Sequence, residues 1–457
     1  MESIELALGC AYGILDVNVI IGMFTSIYSA VKIKRACEMV KGQHKGNWRH
    51  DINILTPQAE AVGTIGVIRS LGSAGYCVHA CSHDPKALGL RSNFASKSVL
   101  CPDYSDPKFL EWLHNYIRRK KIHAIVPSEA LIFAIRPHFN MLCHLMPIPQ
   151  DKELAYRPFS KIDVLQYLKQ TLGKKDFLQY MPPSFIIKRG DVLPSQSDLS
   201  AIAGPYFIKS DRAYHYNNTE ALLKRVETPQ SAFAEVVQAL DQFEAVLLQG
   251  WVGGMKAASA FCLHNNFLLA QSGVLGLHTN PHQGGMMSLR QSWQHEVLFK
   301  KTLSWLRILQ WHGVAMVECK WDPKTDRFWL IEINSRFYGY LHLDLYSEVD
   351  MPRIQMDAHF GKISKKIPSQ QVGVRCRHVV PGDIGYLLSK LRDSSVRRSE
   401  KVISTLRFML DFLDPFMRSD LLYPGDRKLY FMQWLQIIQV SFRKLFQFAN
   451  LKNLKKI

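Results

Sequence analysis

From residue 51 onward the chain alternates short apolar runs with longer stretches whose apolar residues recur at helical spacing. Residues 52–55, 77–81 and 124–126 read as strands, with amphipathic helices over 64–74 and 107–120 between them. Strand, helix, strand, helix, strand predicts a parallel sheet with covering helices over 51–150. Gly63 and Gly66 sit at the first strand-to-helix turn, but no G-x-G-x-x-G is present, so a dinucleotide fingerprint is missing. Arg69 reads as an exposed helix residue or a contact to another domain.

The pattern changes after Pro147 and Pro149. A helix begins near Ser160, Pro182-Pro183 opens an extended segment, and Tyr206–Ser210 is a strand whose penultimate residue is Lys209. A second strand over 245–249 runs into Gly250-Trp251-Val252-Gly253-Gly254. Strand-rich and interrupted by glycine, 151–366 predicts α+β architecture. From 367 to 457 the chain is basic and mainly helical. There Phe431, Leu435, Ile438, Phe442, Leu445 and Phe446 recur at helical spacing, as a core face or as a membrane-surface face, with Lys452, Lys455 and Lys456 beyond. Within 1–50, Leu6 to Val31 is largely apolar and is followed by Lys32, Lys34 and Arg35. It is long enough for a membrane anchor, whereas Asp16, Gly9, Gly13 and Gly22 favour a buried or interfacial helix.

Composition narrows the function classes. At 457 residues, 47% hydrophobic and 21% charged, the chain is globular and long enough for two or three domains. Nine scattered cysteines form no C-x-x-C pair, which fits a reducing, cytoplasmic setting with membrane association as the added option. Cys77, His79, Cys81 and His83 alternate along one strand, a line that converges poorly on a tetrahedral ion, so no zinc site is expected. The net charge of +18 is concentrated in residues 361–457, which hold 19 Lys/Arg against 7 Asp/Glu. A basic tail without interleaved aromatic and basic motifs gives no reason to expect a nucleic-acid partner.

The stretch that carries chemistry runs from Val314 to Arg336. Two apolar strands flank the polar turn Asp322-Pro323-Lys324-Thr325-Asp326, which predicts a hairpin. Glu318 and Glu332 are equidistant from Thr325, so a symmetric hairpin sets them face to face. Alternation places Glu332, Asn334 and Arg336 on one face and Ile331, Ile333 and Phe337 on the other. Facing carboxylates repel unless something neutralises them, and two carboxylates with an amide oxygen supply the hard donors Mg²⁺ takes. A solvated outer hairpin face is the plainer alternative. Neither G-x-S-x-G nor a Cys/His pair suggests a protein nucleophile.

The E-I-N-x-R run of Glu332 to Arg336, the upstream V-E at Glu318 and the strand carrying Lys209 together resemble ATP-grasp enzymes. The branch is the one similar to carbamoyl-phosphate synthase large subunits and carboxylate-amine ligases, and the resemblance covers roughly 52–425. It implies a Rossmann-like leading domain, a two-lobed ATP-grasp fold and a helical C-terminal tail. It also implies ATP and Mg²⁺, or Mn²⁺ in its place, with Glu318, Glu332 and Asn334 on the metal and Arg336 stabilising the transferred phosphoryl group. Lys209 and Lys161 would bind phosphates, and Gln249, Gly250, Trp251 and Val252 would form the adenine-side hinge. The implied activity is ligation of a small-molecule carboxylate to an amine. A non-catalytic Mg-ATP-binding regulator and a membrane-associated scaffold are the alternatives. Two positions depart from the family pattern: Gln249 stands where a glutamate is frequent in the hinge, and Ser335 where a proline is.

Overall fold

The computed structural model describes residues 48–211 and 222–439. The apolar run from Leu6 to Val31 and the C-terminal positions Phe442, Leu445, Phe446, Lys452, Lys455 and Lys456 lie outside the described residues. The chain forms two compact units. Residues 49–277 and 290–374 make the larger, and in the smaller the described chain is Trp48, 278–289 and 375–439.

The larger unit opens with a parallel sheet of four strands: β1 (Asn53–Thr56), β2 (Cys77–Ser82), β3 (Lys97–Leu100) and β4 (Ile122–Ile125), in the order β3-β2-β1-β4. The expected α/β layer is present, with β3 as an added edge strand. Its sequence, Lys97-Ser-Val-Leu100, is largely exposed and carries little apolar signal. The helix Val62–Ala74 packs on the sheet and ends at Gly75, which has φ 97°. A β-carbon at Gly63 would lie 2.6 Å from the Tyr338 carbonyl oxygen, so this glycine serves a close helix approach and not a phosphate turn.

Of the two readings of Arg69, exposed helix residue or distant contact, the structure has the second. Arg69 is wholly buried, and its Nη1 lies 2.8 Å from His342 Nε2. Nearby, Asp357 accepts from Arg49 through both oxygens, at 2.8 and 2.7 Å, and from the Tyr76 hydroxyl at 2.6 Å. Charged groups thus tie the parallel-sheet region to the helix Met351–His359, where each would be costly to leave unpaired.

An antiparallel sheet follows, built from β5 (Ser184–Lys188), β6 (Tyr206–Ser210), β7 (Leu223–Val226) and β8 (Ala245–Gly250) in the order β5-β8-β6-β7. Helix Pro229–Gln242, capped by Thr228, covers it through Ala232, Val236 and Ala239. The remaining long strands include β9 (Met255–His264), β10 (Phe267–Asn280), β11 (Met286–Ser292), β12 (Gly313–Asp322) and β13 (Arg327–Asn334), with β13-β12-β9-β10 consecutive in one sheet. The apolar inner face of that sheet joins Trp305, Leu306 and the leading domain's Phe133 and Phe139 in one core.

In the smaller unit, helices Ile384–Arg392 and Arg398–Leu410 accompany a short parallel pairing of Cys376 with Arg418 and Arg377 with Ser419. Residues 428–439 are helical, and Phe431 and Leu435 on that helix are exposed, so neither is a core residue. Among the described residues no helix is long and apolar enough to cross a membrane.

Candidate functional site

The hairpin forms as the sequence indicates, with a refinement. Glu318 on β12 pairs directly with Glu332 on β13, but the ladder shifts between Glu318 and Cys319, so that Cys319 faces Leu330 and Ile331 is left without an opposite number. The tip closes at Asp322 and Arg327. An even turn would displace the pairing by one residue; this bulge restores the two carboxylates to the same position. On the other side of β12, Ala258 of β9 lies opposite Glu318, a small residue that leaves room above the carboxylate.

Burial alone would push both carboxyls up. For Glu318 it does: despite the counter-effect of Lys256, burial and the neighbouring Glu332 charge leave the group above its ordinary value. Burial acts the same way on Glu332, but the Asn334 amide and the charges of Lys161, Lys256 and Lys209 outweigh it and hold that carboxyl below the usual range. Lys256 Nζ donates to Glu318 Oε1 at 2.5 Å, and Asn334 Nδ2 donates to Glu332 Oε1 at 2.9 Å. Lys256 therefore supplies part of the neutralising charge that the facing pair requires.

The lysines converge from separate elements. Lys209 on β6 is half-buried, and its Nζ donates to Gln249 Oε1 on β8 at 2.6 Å. Desolvation, reinforced by Lys161 and Lys256 and opposed by Glu332 and Glu318, lowers its pKa to about 8. Lys161 opens the helix Lys161–Thr171, where Ser160 caps Asp163 N–H and the Asp211 carboxylate accepts from Ser160 and from Ile162 N–H. A narrow cleft is lined by Lys161, Glu332, Asn334, Arg336 and Glu129. Arg336 Nε donates to Glu129 Oε2 at 3.0 Å.

Gln249, Gly250, Trp251 and Val252 lie at the end of β8 and in the turn that follows. The Gln249 side chain, besides accepting from Lys209, donates to Ser184 at 3.1 Å. The N–H groups of Gly250 and Trp251 are already bonded to Pro183 and Ala203 carbonyls, and the Trp251 ring is exposed. The structure thus brings Glu318, Glu332, Asn334, Lys209 and Lys161 into mutual electrostatic reach, with Arg336 on the same cleft. Sequence reasoning missed Lys256 and Glu129. Lys256 follows the Gly253-Gly254 turn on the first residues of a strand, and this position was its only local signal.

The donor set fits a divalent cation. Glu318 Oε2, the second oxygen of Glu332 and the Asn334 Oδ1 have no partner among the described residues, while Lys256 and Asn334 Nδ2 each donate to the other oxygen of a carboxylate. Two carboxylates and an amide oxygen are the hard ligands Mg²⁺ takes when it keeps positions for water and phosphate oxygens.

No family model matches the chain, and no curated protein matches it. Solved structures do. Campylobacter jejuni biotin carboxylase, in a complex with β,γ-ATP, shares 12% identity at a TM-score of 0.53 over 71% of this chain and 74% of that one. The biotin carboxylase domain of Hydrogenobacter thermophilus 2-oxoglutarate carboxylase, with MgADP, ADP and bicarbonate, gives 13% and 0.53 over 71% and 73%. Staphylococcus aureus N5-carboxyaminoimidazole synthetase with ADP gives 14% and 0.50 over 71% and 81%.

Proposed function

We propose, from the ATP-grasp fold that this chain has, that it is an ATP-dependent ligase joining a small-molecule carboxylate to an amine. The observation that carries this reading is the set of three unspent oxygens of Glu318, Glu332 and Asn334, facing a surplus of lysines, Lys161, Lys209 and Lys256.

The physical demand of such a reaction is to bring two anions together, a carboxylate and a triphosphate. Lys209 and Lys161 would bind phosphate oxygens, Lys209 from a site where desolvation strengthens its field. Glu318, Glu332 and Asn334 would hold Mg²⁺, which when bound supplies further positive charge to the phosphates. Arg336, fixed by Glu129, would meet the charge on the phosphoryl group as it moves. The segment Gln249 to Val252 would face the adenine. The substrate carboxylate oxygen attacks the γ-phosphorus, ADP leaves, and the acylphosphate is opened by the amine, which releases phosphate and a proton. No side chain need act as nucleophile.

The test is ADP release by the full chain across a panel of amino acids and small carboxylates, with and without an amine. A ligase releases ADP and phosphate only when both co-substrates are present, and Glu332→Gln should lower that rate by about two to three orders of magnitude. ATP binding without turnover on any pair would favour a regulator on the same fold. Unchanged turnover in Glu332→Gln would sink the catalytic assignment.

A further inference from the structure

The helix Arg398–Leu410 in the smaller unit is apolar on two sides. Its inner side buries Ser404 and Phe408, with the Arg377 guanidinium 4.9 Å above the Phe408 ring and 4.3 Å above that of Phe412. Its outer side exposes Val402, Ile403, Leu406, Met409 and Leu410, and the turn beyond adds Leu413 and Phe416. Leu406 is 58% exposed, Leu413 72% and Phe416 77%, values that exclude a core role for any of them. On a helical wheel the five helix residues fall in one arc of about 120°. Arg398 closes that arc on one edge and Arg407 on the other; both are exposed, and neither has a carboxylate partner among the described residues. The nearby acids are mostly occupied, since Glu400 is bound by Arg397 at 2.7 Å and Asp414 by Arg375.

We infer that this face docks on an anionic lipid bilayer. An apolar arc between basic edges is the pattern of a helix lying in the headgroup plane, where the arc enters the acyl boundary and the arginines reach lipid phosphates. Charge decides against a second copy of the chain, because a two-fold contact through this arc would oppose the arginine edges to each other. The surrounding sequence agrees, with 19 Lys/Arg against 7 Asp/Glu over 361–457. Docking here needs neither a spanning segment nor the ligase activity.

The experiment is co-sedimentation of the full chain with vesicles of phosphatidylcholine containing about one-third phosphatidylserine, beside vesicles of phosphatidylcholine alone. Leu406→Asp with Leu410→Asp should lower the partition coefficient on the anionic vesicles at least ~10-fold, and Arg398→Glu with Arg407→Glu should do likewise. Leu178→Asp, at a residue 59% exposed in the larger unit, should change it less than about two-fold. Circular dichroism of each variant confirms that the exposed substitutions leave the fold intact. Wild-type binding that survives both face pairs, equal binding to neutral vesicles, or no binding at all would each overturn the inference. So would a concentration-dependent dimer that Leu406→Asp dissolves.

Discussion

Two groups of charges, one in each unit, differ in how far they are closed to solvent. In the smaller unit Asp383 has no exposure to solvent; one oxygen lies 2.8 Å from His278 Nδ1 and the other 3.0 Å from Arg377 Nη2. His278 is stacked on Tyr386 with ring centroids 3.9 Å apart, and Arg377 lies against Phe408 and Phe412. Burial lowers the Arg377 pKa, with Asp383 opposing the effect. Each charge there faces an opposite charge of the same unit and is sealed from solvent, although the Arg377 nitrogens and Asp383 Oδ2 make no hydrogen bond among the described residues. In the larger unit Glu318, Glu332 and Asn334 keep one acceptor oxygen each without a partner among the described residues, Glu332 and Asn334 line a cleft, and lysines outnumber the carboxylates they face. A group of charges sealed from solvent fixes a fold; one that opens on a cleft can meet a ligand.

The largest effects should separate the two groups in opposite directions. Asp383→Ala strands a buried arginine and is expected to cost about 3–5 kcal/mol of stability in urea melts, with little direct effect on nucleotide affinity. Glu332→Gln should leave the melt nearly unchanged while removing turnover. If Glu332→Gln unfolded the protein as Asp383→Ala does, the open group would be structural after all.

Next in size, Lys209→Met should raise the KM for ATP about ten-fold or more, the loss of one charge-assisted phosphate contact. The wild-type response to pH sharpens this. With a pKa near 8 in the free protein, Lys209 loses its charge as pH rises through that value, so ATP affinity should fall there, and calorimetric titrations of Lys209→Met should show no such fall. The sign for stability is the reverse. The folded pKa lies below the unfolded one of about 10.4, so the unfolded chain holds more protons between those values and stability should increase with pH across the interval.

The smallest effect concerns Lys256. Replacing it with Gln leaves Glu318 without its cation, and the melting temperature should drop by about 2–4 °C, with millimolar Mg²⁺ restoring much of the loss. A Mg²⁺-independent drop would mean that Glu318 does not reach a metal.

These differences also mark how far the sequence could be read. Glu318 and Glu332 were legible because a hairpin is local: a polar turn and a period of two place them without knowledge of anything distant. The parallel layer was legible for the same reason, apart from β3, whose solvent-facing edge leaves no apolar imprint. Lys256 is 62 residues from Glu318 and Glu129 is 207 from Arg336, so their pairing depends on strand order and domain packing. Arg69 was left between exposure and a distant contact because a lone arginine in an amphipathic helix carries no sign that its partner, His342, waits 273 positions later. The lysines reached the site through a resemblance in order and spacing, not through any property that Lys161 or Lys209 displays alone.

The irregularity at Ile331 has an evolutionary side. Because the ladder resets between the carboxylate pair and the tip, strand parity at Glu318 and Glu332 is decoupled from the length of the turn at Asp322 to Arg327. Descendants of this chain could gain or lose residues at that exposed tip while inheriting the same pair of facing acids. Because His295 and Trp321 hold Asp326, the exposed residues Pro323 to Thr325 are where a laboratory graft, such as an epitope or a fluorophore attachment site, should be accepted with the least disturbance.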